Sequence, residues 1–203
     1  MKRQINFLLL LCTVVLLGTG CKSTTKMPAA TNGTSQKAKV DRNVSTVKKT
    51  SPTPGVISFA AANERYSASG VFKAWKFTQI EMNADKVESL SATLEIDLSS
   101  ISEKSQKLTK HLKAWDYFDV EKYTTATIDI TNVRPKGAKY VADFTLKMKD
   151  ETQTMESEFV VLGKNPLRVK GTAMVDRGKF KVGVGNKDVP NMIAVNYETA
   201  VVD

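Results

Sequence analysis

Five stretches of this chain alternate apolar and polar residues with a period of two, the pattern of a β-strand with one buried face. The clearest runs from Ala126 to Ile130, with alanine or isoleucine on one face and threonine or aspartate on the other. The same alternation occupies residues 92–98, 140–148, 155–161 and 167–175. Apolar runs at 56–59, 70–77 and 193–202 bring the predicted number of strands to seven or eight.

Turn-forming residues separate these strands. Pro135 to Gly137 follow one strand, Asp150-Glu151 marks a hairpin, and residues 163–166 break the chain again. Such short connections join antiparallel neighbours, and a sheet of this size must protect its edge strands. Closure removes the edges. We therefore predict an all-β, mainly antiparallel fold, a β-barrel of about eight strands with one short helical insert.

The helical insert is predicted just before residue 115. Leu108 and Leu112 are four residues apart and would share one face of a helix. Ser100 and Glu103 have the spacing of a capping box, which places the start of the helix near residue 100.

Most of the net charge lies outside the predicted barrel. The chain has a formal charge of +9, of which residues 1–55 carry +8 and residues 56–203 carry +1. A nucleic-acid-binding domain concentrates positive charge on its folded surface. The nearly neutral barrel therefore argues against a nucleic-acid partner.

The N-terminus predicts export. Lys2 and Arg3 precede an apolar run at 5–17, which has the pattern of a signal peptide and is short for a membrane span. Small residues at 18–20 then lead to Cys21, an arrangement that resembles a bacterial lipobox. We predict a signal peptide at 1–20 and lipidation of Cys21; the alternative is an ordinary signal peptide with an incidental cysteine.

The next segment, 21–55, is predicted to be a disordered basic tether. It is rich in Ser, Thr, Lys, Asn and Pro and cannot bury enough apolar surface to fold. Its charge of +6 would hold it near anionic headgroups, and a soluble spacer is the alternative. The barrel domain would then occupy 56–203, attached to the envelope of a bacterium on its periplasmic side or at its outer membrane.

Three groups of residues resemble the YceI-like family. They are His111-Leu112 with Phe118-Asp119 and the strand at 123–130; residues 143–149 with Thr152; and Val175-Asp176-Arg177 with Phe180 and Gly183. The chain departs from the family at Thr124, where proline is usual. The resemblance covers roughly 56–203 and implies a lipocalin-like extended barrel that holds a long polyisoprenoid chain, such as a quinone tail.

The residues alone leave the barrel interior open to two interpretations, a packed core or a cavity. The resemblance implies the cavity, and with it an apolar lipid as the partner or bound ligand. The predicted lining residues are Phe72, Trp75, Phe77, Leu94, Ile96, Leu112, Trp115, Phe118, Ile128, Ile130, Phe144, Leu146, Phe159 and Val161. Monomer and homodimer both remain open.

The sequence supplies no enzyme signature. It has no Gly-x-Ser-x-Gly, His-Glu-x-x-His or phosphate-binding glycine loop. Cys12 and Cys21 both precede the domain, so no cysteine is available there for a disulfide or a metal site. The single histidine, His111, is predicted to support the loop beneath the helix, with a headgroup contact as the alternative.

We therefore predict a non-enzymatic extracytoplasmic lipoprotein, without a cofactor or metal, that binds or carries an isoprenoid-type lipid inside its barrel. The alternative is a membrane-tethered interaction module whose barrel is filled and binds no ligand.

Overall fold

The computed structural model describes residues 44–46, 55–64, 67–83 and 86–202. The predicted signal peptide, Cys21 and most of the predicted tether lie outside these residues. Within them, the chain forms eleven strands and one α-helix. The elements are β1 (Val44–Thr46), β2 (Gly55–Ala62), β3 (Ser67–Phe72), β4 (Trp75–Asn83), β5 (Ser91–Asp97), β6 (Ile101–Ser102), α1 (Gln106–Lys113), β7 (Thr125–Lys136), β8 (Lys139–Met148), β9 (Glu151–Lys164), β10 (Leu167–Asp176) and β11 (Met192–Val202), with short 3₁₀ helices at Val87–Ser89, Leu98–Ser100 and Arg177–Phe180.

All strands belong to one antiparallel sheet in the order β1-β4-β5-β7-β8-β9-β10-β11-β2-β3-β6. The sheet curls on itself because β3 and β4 are two parts of one bent strand, separated only by Lys73 and Ala74. β3 pairs with β2, whereas β4 pairs with β5 at the opposite end of the order. The corner is fixed by hydrogen bonds from Lys73 N to Ser100 O (3.3 Å) and from Asp97 N to Ala74 O (2.9 Å).

This arrangement confirms the predicted fold class. Counting the bent pair β3–β4 once, eight long strands surround the interior, and α1 is the helical insert. The sequence predicted one continuous strand at 70–77 and missed the bend at Lys73 and Ala74. At this bend the pairing changes from β2, the partner of β3, to β5, the partner of β4. The prediction also missed the short strands β1 and β6, which pair with β4 and β3.

Cross-strand pairs on both faces hold the register of the sheet. On the inner face of β5 and β7, Leu94 lies opposite Ile128. On the outer face, Asp129 accepts hydrogen bonds from Thr93 Oγ1 (2.9 Å) and Lys147 Nζ (2.9 Å). The bond from Lys147, together with that from Thr93, lowers the pKa of Asp129. A one-residue slip would move every apolar side chain to the solvent side and break these polar pairs.

The predicted capping box is wrong. The N-cap of α1 is Ser105, whose Oγ accepts from Leu108 N at 3.3 Å, and the Glu103 carboxylate accepts from Ser105 N. The helix cannot begin near residue 100, because Ile101 and Ser102 pair with β3 as strand β6. Ser100 instead ends the preceding 3₁₀ helix.

A buried arginine holds the loop that follows β10. The Arg177 guanidinium donates five hydrogen bonds to backbone carbonyls, and no carboxylate takes part. The acceptors are the carbonyl oxygens of Val182, Gly183, Asn186, Val189 and Pro190, at 2.6 to 2.9 Å. Arginine has five N–H groups in a rigid planar arrangement, so this loop satisfies all of them.

We expect Arg177→Lys to destabilise the domain by about 3 kcal/mol or more. A lysine ammonium has three donors, so it leaves buried carbonyl oxygens without partners while the charge stays buried. Urea denaturation followed by circular dichroism measures the effect. Arg168→Lys is the matched control, because Arg168 lies on the exposed wall beside Glu198, and we expect it to change stability by less than about 0.5 kcal/mol. Equal effects of the two substitutions would contradict the structural role of Arg177.

Candidate functional site

The barrel encloses a cavity of about 180 Å³. Its lining comes from the inner faces of the strands, from α1, and from the segments that close the end of the barrel near α1. Apart from Glu103, Arg177 and Thr199, every lining residue is apolar or a tyrosine. Arg177 has its donors occupied by the loop carbonyls, so the cavity offers little to a charged molecule.

Twelve of the fourteen predicted residues line this cavity. They are Phe72, Trp75, Phe77, Leu94, Ile96, Leu112, Phe118, Ile128, Ile130, Phe144, Leu146 and Phe159. Period-two alternation places most of them correctly, because the side chains at i, i+2 and i+4 of a strand share a face.

Trp115 and Val161 do not line the cavity, which corrects two of the predicted positions. Trp115 lies in the turn after α1, and its side chain is 80% exposed on the outside of the protein. Val161 is half-buried and packs against the core of the barrel, while Phe159 and Val169, the cross-strand partner of Val161, line the cavity.

Several lining residues were not predicted, although the strands that carry them were. Ile57, Phe59 and Ala61 form the inner face of β2, and Val195 and Tyr197 belong to that of β11. Their alternation is visible in the sequence. Val182 and Val189, which help to close the end of the barrel, carry no such pattern, since irregular backbone positions them.

The interior is hollow rather than filled. Ile128, Ile130, Met155 and Val195 line the cavity, and each keeps some accessible surface although it packs against the buried core on one side. Side chains in a packed core touch neighbours on all sides. The described residues therefore do not form a filled barrel, which the alternative prediction of an interaction module without a ligand requires.

A polar pair joins Tyr197, which lines the cavity, to the fully buried Ser157. The Ser157 hydroxyl donates to Thr172 O at 3.1 Å, which leaves the Tyr197 hydroxyl to donate to Ser157 Oγ at 2.8 Å. Burial raises the pKa of Tyr197 to about 12. The ring crosses Gly171, where an added Cβ would lie 2.4 Å from the Tyr197 hydroxyl oxygen. A glycine is thus required for tyrosine to occupy this position.

Tyr117 closes the cavity at the end near α1. Its hydroxyl accepts from Asn186 Nδ2 at 3.1 Å, and its carbonyl accepts from Lys149 Nζ at 2.7 Å. Gly183, at φ +59°, lies against the ring, where an added Cβ would be 2.7 Å from Tyr117 Cε1. Burial lowers the pKa of Lys149.

His111 lies outside the cavity, with its ring centroid 4.5 Å from that of Tyr117. Its ring contacts the segment beneath α1, and the structural role of His111 stays a prediction.

These features describe a site for an apolar molecule. Within the described ranges, no group of three or more His, Cys, Asp or Glu side chains is placed to hold a metal ion. The same part of the chain contains no helix that is long and apolar enough to cross a bilayer.

The sequence pattern of the YceI-like domain matches residues 26–201. The chain belongs to the YceI-like family. Its relatives include UPF0312 protein plu2095 of Photorhabdus laumondii, 31% identical over 140 residues, or 64% of this chain and 71% of that protein. Another is UPF0312 protein SAB2563 of Staphylococcus aureus, 29% identical over 51% of this chain and 63% of that protein.

Solved structures share the YceI-like fold. Burkholderia cenocepacia BcnA superposes with a TM-score of 0.63 at 20% identity, covering 71% of this chain and 94% of that one. The Campylobacter jejuni YceI protein gives a TM-score of 0.60 at 17% identity, covering 70% and 86%. A polyisoprenoid-binding domain from Saccharophagus degradans, implicated in plant cell wall breakdown, gives 0.54 at 12% identity, covering 73% and 93%.

The raised pKa of Tyr197 predicts a loss of stability at alkaline pH. Below pH 10 the hydroxyl is protonated in both the folded and the unfolded protein. Between pH 10 and 12 the unfolded tyrosine ionises while the folded one keeps its proton, so the free energy of unfolding falls as pH rises.

Between pH 9 and pH 11, we expect the free energy of unfolding of the wild-type protein to fall by about 1 kcal/mol relative to that of Tyr197→Phe. Urea unfolding of both proteins across this range measures the difference between their free energies of unfolding. The titration of all other groups is common to the two proteins and cancels in this difference. Parallel curves would show that Tyr197 ionises equally in both states.

Proposed function

We propose that this protein binds an apolar isoprenoid-type lipid, such as a quinone, inside its barrel, and carries or sequesters it in the cell envelope of a bacterium. The observation that carries the proposal is the hollow interior, lined almost entirely by aliphatic and aromatic side chains. Membership of the YceI-like family and the fold shared with a polyisoprenoid-binding domain give further support.

Burial of hydrocarbon supplies the affinity. Each buried methylene contributes about 0.8 kcal/mol, so a five-carbon isoprene unit contributes on the order of 3 kcal/mol. A few units offset the loss of translational and rotational freedom on binding without any directed polar contact. A chain of repeating units also suits a cavity that extends from Leu90 at the β4–β5 end to Tyr117 at the opposite end.

The polar pair on the wall limits what the ligand can carry. The Tyr197 hydroxyl donates its proton to Ser157, so only its oxygen remains to accept a hydrogen bond. A neutral group can lie against it, whereas a charged group at this part of the wall would lose its hydration with no opposite charge beside it. The site therefore favours a neutral ligand.

The location in the envelope rests on the sequence of the N-terminal segment. A signal peptide at 1–20, a lipidated Cys21 and a basic tether at 21–55 would hold the barrel at a membrane surface, with the length of the tether setting its reach. In this proposal the protein is an anchored carrier, and the domain at 56–203 works within reach of a bilayer.

Native mass spectrometry of the full chain, purified from a bacterial envelope, tests the ligand. We expect a co-purifying neutral mass of isoprenoid type. Ile128→Trp places a larger ring at the cavity wall, and we expect it to reduce the bound fraction at least tenfold. Thr131→Trp is the matched control, because Thr131 lies on the same strand but is exposed outside the barrel; it should keep the ligand.

Circular dichroism establishes that both variants are folded. A folded Ile128→Trp protein that retains the full amount of lipid would exclude the cavity as the binding site. A wild-type chain that carries no lipid, and that takes up none when a long-chain quinone is added, would overturn the proposed function itself.

A further inference from the structure

The outer surface at the α1 end of the barrel combines exposed apolar side chains with unpaired lysines. We call it the docking face and define it by Lys107, Lys110, Lys113, Trp115 and Val184. Trp115 is 80% exposed and Val184 is 61% exposed. The two line one shallow depression, together with Lys187 and Lys181. Neighbouring exposed apolar side chains, such as Trp115 and Val184, are typical of an interaction surface.

The exposure of Trp115 is built into the fold. The turn that carries it is closed by hydrogen bonds from Tyr117 N to Ala114 O (3.0 Å) and from Asp119 N to Ala114 O (2.9 Å). Gly183 N donates to Asp116 O at 2.8 Å and joins this turn to the loop that carries Val184. The apolar side chains are therefore held outward by ordered backbone, so little ordering entropy remains to be lost when they bind.

The lysines of α1 lie opposite its apolar side. Leu108 and Leu112 face the cavity, and with 100° per residue the three lysines fall on the other side of the helix. Among the described residues, no carboxylate forms an ion pair with any of the three. On the barrel wall, by contrast, cations pair across strands, as Lys76 does with Glu95 and Lys147 with Asp129.

We propose that the folded domain docks on an anionic membrane through this face, with Trp115 and Val184 entering the interface. Tryptophan concentrates at the boundary between headgroups and acyl chains, and lysines beside it attract anionic lipid. Asp116 and Asp188 also line the depression and limit how deeply it enters. The proposal requires neither the bound lipid nor the lipidation of Cys21.

Docking in this way turns one end of the cavity toward the bilayer. Tyr117 lines the cavity on its inner side and the depression on its outer side. It is the partition between the interior and the docking face, so a docked barrel presents this partition to the membrane rather than to water.

Fluorescence can test the docking directly, because the chain contains two tryptophans and Trp75 is buried at 7% exposure. Full chain carrying Cys21→Ser is mixed with phosphatidylcholine vesicles with or without 30% phosphatidylglycerol. We expect a blue shift and quenching by brominated lipid only with the anionic vesicles. Trp115→Ser should weaken sedimentation with these vesicles at least threefold and abolish the shift.

Leu162→Ser is the matched control. Leu162 is 49% exposed on β9, away from the docking face, and its substitution should leave binding unchanged. All variants share the same basic N-terminal segment, so its attraction to the vesicles is equal in each. If Trp115 emission does not respond to anionic vesicles, or if Trp115→Ser binds as wild type does, the docking face is not a membrane site.

A second outcome would identify a different occupant. If the chain sediments as a dimer that Trp115→Ser dissociates, and Trp115 remains insensitive to brominated lipid, the face joins two copies of the chain and membrane docking is overturned.

The contribution of the α1 lysines to membrane docking is tested separately. Lys110→Glu combined with Lys113→Glu should lower the affinity for anionic vesicles at least threefold and reduce its dependence on salt. Lys86→Glu combined with Lys164→Glu makes the same change in net charge at exposed positions beside Val87–Ser89 and at the end of β9, and it is the control. Equal losses in the two proteins would show that net charge, and not the docking face, governs binding.

Discussion

The closure of the cavity depends on one buried cation whose partners are all backbone carbonyls. Arg177 fixes the path of residues 182–190 by five hydrogen bonds. That path brings Gly183 against the ring of Tyr117 and places Asn186 on its hydroxyl. Tyr117 in turn forms the end wall of the cavity. A guanidinium suits this position because it spreads five donors in one plane, which an ammonium cannot do.

The hollow interior follows from the small residues on the inner face of the sheet. Ala61, Ala126 and Ala173 lie in the cavity wall, where a small side chain leaves space in front of it. A barrel of eight strands is wide enough that such positions leave space unless large side chains reach across it. Closure through the bent pair β3–β4 keeps the wall continuous. The sheet thus remains closed around the cavity, since backbone pairing joins each strand to its neighbours.

The sequence was sufficient to predict features that depend on local periodicity. It was not sufficient for features that depend on tertiary contacts. Ile128, Phe144 and Leu146 were placed correctly because alternation fixes the face of a strand from nearby residues alone. Trp115 was misplaced because the direction of a turn residue is set by hydrogen bonds to the neighbouring loop. The helix start was misplaced because strand β6 occupies the residues that would have begun it. Whether the barrel is hollow could not be read from the sequence, since it depends on distances between walls that are far apart in the chain.

The two ends of the cavity are closed by different combinations of interactions, so the two ends of the barrel are not equivalent. At the β4–β5 end, buried aliphatic side chains such as Val87, Leu90 and Val201 pack together, and separating them would expose apolar surface at roughly 25 cal/mol per Å². At the other end, Tyr117 packs in a second buried apolar cluster with Leu112 and Val182, and it also accepts hydrogen bonds from Asn186 and Lys149. Water can replace such bonds at a net cost of about 1 kcal/mol each. Part of the closure at the Tyr117 end therefore consists of hydrogen bonds that water can replace, and that is the end that carries Trp115 and the lysines of α1.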